Sequence, residues 1–121
     1  MVYSVTAELV SWLEDRFYEV WTIVPDDADD DLPARFVTVE RTGGYVEDML
    51  DHASVAVQCW AQTDSEAHDM AIGLRNLLLT DQRPYGVGRV AIDSGPYRFY
   101  DEATRCPRYQ LTLDVTCCLS D

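Results

Sequence analysis

No lysine occurs anywhere in the chain, and all nine basic residues are arginines. Against them stand 22 acidic side chains, which leaves a formal net charge of −13. Such a field repels phosphate backbones at contact range and argues against stable nucleic-acid binding. Solubility is the plain reading of that acidity, and the missing lysine carries no mechanism of its own. Long apolar runs are also missing, since no stretch approaches the roughly 20 residues that a bilayer crossing needs. The first residues do not follow the basic-then-apolar order of a secretory leader, because Glu8, Glu14 and Asp15 interrupt it. A protein of the cytoplasm, or one released on lysis, is expected.

Metal, redox and catalytic motifs are scarce too. Cys59, Cys106, Cys117 and Cys118 form no CxxC pair, and neither histidine lies near a cysteine pair. Cys117 and Cys118 are neighbours on a predicted strand, so they point to opposite faces and are badly placed to share a metal. Buried free thiols in a reducing compartment are expected. No GxSxG elbow, HExxH helix or phosphate-cradling glycine loop is present. Gly86-Val87-Gly88 precedes a strand, whereas a dinucleotide fingerprint follows a strand and opens a helix. His52 and His68 are the only imidazoles, and His68, beside Glu66 and Asp69, is expected to face solvent. Nothing singles out two carboxylates as an acid pair for glycoside chemistry. The chain is read as a non-enzyme, with no catalytic residue, metal ligand or cofactor assigned.

What is present is the patterning of one domain, residues 1–121, with a hydrophobic fraction of 47%. A helix is predicted from Ser4 to Glu19, with Leu9, Leu13 and Phe17 at four-residue steps, Val10 beside them, and Ser4 or Thr6 as cap. Val20 to Val24 reads as a short strand ended by Pro25. Asp26, Asp27, Asp29, Asp30 and Asp31 then crowd into a loop, where five carboxylates repel one another and favour water. A calcium loop would interleave glycine and end in a bidentate Glu, and neither is in place. Arg35 to Thr42 reads as a second strand closed by Gly43-Gly44, and Tyr45 to His52 as a polar excursion with one helical turn. Ala53 to Ala61 is a third strand, apolar on both sides and hence central.

Thr63-Asp64-Ser65-Glu66 is a capping box that opens a helix to Leu79. Ala67, Met70, Ala71, Leu74, Leu77 and Leu78 form its packing stripe. Val87 to Asp93 and Arg108 to Leu119 complete the strands, the last alternating Tyr109, Leu111, Leu113, Val115 and Cys117 against polar neighbours. Ser94 to Pro107 is left as a connection too long for a tight turn, carrying Tyr97, Phe99 and Tyr100 as candidate contact residues. The expected fold class is α+β: a mostly antiparallel, four- to five-stranded sheet with two helices packed on one face. Its edge strands need shielding, which an identical neighbour would supply.

Three segments resemble the tail terminator proteins of long-tailed phages, especially those of actinobacterial phages and prophages. They are RFVTVERTGG from Arg35, SVAVQCWAQTDSEAHDMAIGLRNLL from Ser54, and PRYQLTLDVT from Pro107. Together they cover a little over a third of the chain. Strands like the last often end in a basic residue, whereas Cys117-Cys118-Leu119 follow here.

The resemblance implies a homo-oligomeric ring, of six subunits, at the tail-neck junction of a virion assembled in the host cytoplasm. The ring would sit on the major tail tube protein, end its polymerisation and present a surface to a head-completion or stopper protein. DNA would pass the acidic lumen without stable binding, and no membrane is involved. Arg35, Arg41 and Arg75 are candidates for ion pairs across subunits, or for pairing within their own chain. Tyr97, Phe99 and Tyr100 are candidates for packing on the tube or the next subunit. The acidic loop from Asp26 to Asp31 lines the lumen or stays in solvent. Another neck component, such as a connector or stopper, is the nearest alternative, and an acidic inhibitor that mimics DNA is a more distant one.

Overall fold

A computed structural model of the chain describes residues 3–16, 19–21, 34–80, 82–99 and 107–119. Element order is α1 (Val5–Glu14), β1 (Glu19–Trp21), β2 (Arg35–Glu47), β3 (Leu50–Ala61), α2 (Asp64–Leu78), β4 (Val87–Phe99) and β5 (Arg108–Cys118). The strands form one sheet in the order β1-β2-β3-β5-β4. Every pairing is antiparallel except that of the three-residue β1, which runs parallel to Phe36–Thr38 of β2. The expected α+β class is therefore what the chain adopts, with both helices on one face.

Alternation along the strands builds the core. Val37 and Val39 of β2, Val55, Val57 and Cys59 of β3, and Leu111, Leu113 and Val115 of β5 point to the helix-covered face. Leu9, Trp12 and Leu13 of α1 meet them from above, as do Ala67, Met70, Ala71, Leu74 and Leu78 of α2. Ten of these side chains have their surface reduced to essentially nothing, and each full burial of a Val or Leu contributes about 1.5–3 kcal/mol. Helix starts follow their capping signals. Ser4 accepts from the Ala7 amide, and Thr63 accepts from the Glu66 amide at 3.2 Å while its hydroxyl donates to the Glu66 carboxylate at 3.0 Å.

Four expectations need correction. First, α1 stops at Glu14, with Asp15 as its C-cap, and Glu19 already belongs to β1. No glycine or proline marks that stop in the sequence, which is why periodicity alone overruns it. Residues 22–24 of the expected strand lie outside the described residues.

Second, Gly43-Gly44 does not close β2. The pair sits inside the strand at a register shift between Arg41 and Gly43. Gly44 has φ +131, and a Cβ there would stand 2.1 Å from the carbonyl oxygen of His52, so only glycine fits.

Third, Tyr45 to His52 is no helical excursion. Tyr45 pairs with His52, Val46 with Asp51 and Glu47 with Leu50, so the segment is the end of a hairpin. Asp48 and Met49 form its two-residue turn with φ 56 and 64, the double positive φ of a type I′ turn. The usual Gly at the second place is missing, so the turn signal is hidden.

Fourth, β4 does not end at Asp93. It continues to Phe99 through register shifts between Ile92 and Ser94 and between Ser94 and Tyr97. The bulges break the period-2 pattern that sequence reading relies on. Tyr97 and Phe99 are strand residues and not part of a connection.

Candidate interaction surfaces

The sheet face away from the helices is built in register rows. In the first row, Phe36, Trp60, Arg108 and Phe99 pair across β2, β3, β5 and β4. The Phe36 and Trp60 rings stack at 5.4 Å with 9° between planes. The Arg108 guanidinium lies 4.8 Å from the Trp60 ring centre and 5.0 Å from that of Phe99, a cation held between two π faces.

In the next row, Thr38, Gln58, Gln110 and Tyr97 pair across the same four strands. A hydrogen-bond chain runs along it. The Trp60 indole donates to the Thr38 hydroxyl at 3.0 Å, and that hydroxyl donates to the Gln58 carbonyl oxygen at 3.1 Å. The Gln58 amide donates to Gln110 at 2.8 Å, and the Gln110 amide donates to the Tyr97 hydroxyl at 2.7 Å. Tyr97 completes it against Thr112 at 3.1 Å. These polar groups satisfy one another, so half-burial costs them little.

Farther along, at the hairpin end, the face opens. The rings of Tyr45 and His52 stack at 4.8 Å and wall a shallow cleft of about 160 Å³, with Ser54, Arg89, Asp114 and Thr116 also lining it. Beyond the cleft, the turn leaves four apolar side chains in solvent: Tyr45 and Val46 at 60% exposure, Met49 at 78% and Leu50 at 42%. Elsewhere among the described residues, the large exposed apolar side chains are Leu79, Tyr85 and Tyr97. Four exposed apolar side chains gathered around one turn, with Tyr45 and Val46 on opposite faces of the strand, make the turn a candidate contact site.

The residues expected to make contacts fall in different places. Arg41 reaches Asp51 of its own chain with two hydrogen bonds, 2.6 and 2.7 Å, and a third goes to the Gly43 carbonyl at 3.1 Å. This guanidinium holds the Asp51 carboxyl below its ordinary range, and the hydrogen bond is the leading cause. Arg35 opens β2 and is exposed. Arg75, in the last turn of α2, hydrogen-bonds the side chain of Asn76 at 3.2 and 3.3 Å. Tyr97 and Phe99 pack on each other with ring centres 5.1 Å apart. Tyr100 and the acidic stretch Asp26, Asp27, Asp29, Asp30 and Asp31 lie outside the described residues. The hairpin turn was missed by sequence reading because Asp48-Met49 carries no glycine.

Reactive groups are held in quiet settings. Burial pushes the Cys59 thiol up to about 12 and that of Cys117 up to about 11, so neither is a thiolate at neutral pH. Cys118 faces the other way and is exposed, as the alternation requires. Cys106 lies outside the described residues. His68 is half-exposed, as expected, and meets the edge of Tyr109 at 5.3 Å. Asp64, the first residue of α2, takes an ion pair from Arg98 at 2.6 Å and a hydrogen bond from the Tyr109 hydroxyl. Among the described residues, no group of three or more His, Cys, Asp or Glu side chains is placed to hold a metal ion. Nor is any helix among them long and apolar enough to cross a membrane. Comparison with protein-family models gives no match, and comparison with curated proteins gives none either.

Proposed function

We propose that this protein is a phage tail terminator, a subunit whose ring closes the end of a tail tube and offers the surface to which the head attaches. The observation that carries this reading is the exposed apolar turn formed by Tyr45, Val46, Met49 and Leu50. A subunit that must adhere to copies of itself and to a tube end has a use for such a patch. Two further features support it. Among the described residues, the sheet has two end strands that pair on one side only, β1 and β4. The net charge of −13 suits a channel wall past which DNA slides without being trapped.

The mechanism is occlusion: a face to which no further tube ring binds replaces the face on which the tube grows. Partners are then further copies of this chain in a ring of six, the major tail tube protein and a head-completion protein. Deletion of the gene, followed by electron microscopy of the lysate, tests the reading. Overlong headless tails beside DNA-filled heads are expected. Tails of normal length would overturn it and favour another neck component or the acidic inhibitor.

A further inference from the structure

We propose that successive copies join head to tail, the apolar β2–β3 turn of one copy seating on the connection from α2 to β4 of the next. The proposal rests on the terminator reading, and it names the two surfaces that such a ring would bring together.

The second surface is chemically the opposite of the first. Between Arg75 and Tyr85, Leu79 is 68% exposed and Tyr85 is 77% exposed. Arg83 donates to the backbone carbonyls of Thr80 and Gln82, and Arg16 approaches from α1 with a 3.2 Å hydrogen bond to the Gln82 side chain. Arg16, Arg75 and Arg83 make no ion pair among the described residues. Asp81, the one acid of this segment, lies outside them. The turn presents exposed Glu47 and Asp48 beside its apolar side chains. Apolar residues rimmed by carboxylates thus face apolar residues rimmed by guanidinium groups, a complementarity that also directs the approach. In a protein with nine cations against 22 acids, three arginines at one place that bond neutral groups and, among the described residues, no carboxylate stand out.

Position agrees with charge. β3 begins at Leu50, opposite Cys118 of β5, and β4 begins at Val87, opposite Cys117. Both surfaces therefore stand at the same end of β5, one on its β3 side and the other on its β4 side. A closed ring needs unlike contact surfaces on two flanks of the subunit at one level, because a step between levels would wind a helix instead. Two turns beside like turns would put Glu47 and Asp48 against their own copies, which repulsion disfavours.

Cysteine pairing tests this in full-length protein carrying Cys106→Ser and Cys118→Ser. Met49→Cys and Leu79→Cys are placed on separate molecules, mixed and oxidised, both as concentrated pure protein and in the lysate that makes it. Disulfide-linked dimers are expected only in the mixture, and a ladder of multimers is expected when one chain carries both substitutions. The pair Leu50→Cys and Tyr85→Cys repeats the test on different side chains. Glu47→Arg with Asp48→Arg should cut the cross-linked yield roughly tenfold, and Arg83→Glu on the partner should restore it. Dimers from Met49→Cys alone, or none with either pair, would overturn the docking. If docking fails while gene deletion still gives overlong tails, the terminator role stands. If the ladder forms and tails keep their length, self-association stands and the role falls.

Discussion

Arg41 and Asp51 are joined across the hairpin by two hydrogen bonds, and the same guanidinium also holds the carbonyl of Gly43 at the bulge. One side chain thus spans the irregular point of β2 and ties it to β3. The pair is partly exposed, so its worth is modest, about 0.5–1 kcal/mol as a bidentate contact.

Its pH dependence follows from Asp51. Because the folded carboxyl lies below its ordinary value, its contribution is fully present above the unfolded carboxylate pKa of about 4 and is lost as pH falls through the folded value. Urea midpoints measured between pH 7 and pH 3 should fall less steeply in Asp51→Asn than in the parent chain. Parallel curves would refute the assignment.

The two adjacent glycines of β2 should respond oppositely to alanine. Gly44 has positive φ and a Cβ that would meet the His52 carbonyl oxygen, whereas a Cβ on Gly43 would meet nothing within 4 Å. Gly44→Ala is expected to destabilise by more than about 1 kcal/mol, and Gly43→Ala to be neutral or slightly stabilising, within about 1 kcal/mol. Chemical denaturation of both variants reads this directly, and equal effects would count against the bulge geometry.

Thiol reactivity should separate neighbours in sequence. Iodoacetamide at pH 8 is expected to label Cys118 within minutes and to leave Cys59 and Cys117 unmodified until denaturant is added. Site-resolved mass spectrometry checks the order. Rapid labelling of Cys59 in the native protein would mean that the centre of β3 is not packed as described.

Much of the fold is legible in the sequence because its signals are local. Thr63 and Glu66 announce α2 through a short-range hydrogen bond, and the alternation from Tyr109 to Cys117 assigns β5 its buried face. Cys59 and Trp60 mark β3 as central, since both are buried although they point to opposite faces. What escapes reading is non-local. The I′ turn at Asp48-Met49 is imposed by strand pairing on a methionine where glycine is usual, and bulges near Ser94 scramble the period of β4. The contact surfaces escape for the same reason. Leu79 and Tyr85 resemble helix and turn residues until the fold shows them exposed.

The glutamine chain across the outer face has a consequence for register. Inside–outside alternation is blind to a slip of two residues, since moving β5 by two along β3 would still place Leu beside Val in the core. Gln58 and Gln110 are not blind to it. Displaced by two, Gln58 would face Thr112 or Arg108 in place of Gln110, and the amide-to-amide hydrogen bond that joins β3 to β5 would be lost. The polar row therefore acts as the sheet's vernier, selecting one alignment from a set that the apolar core would accept alike.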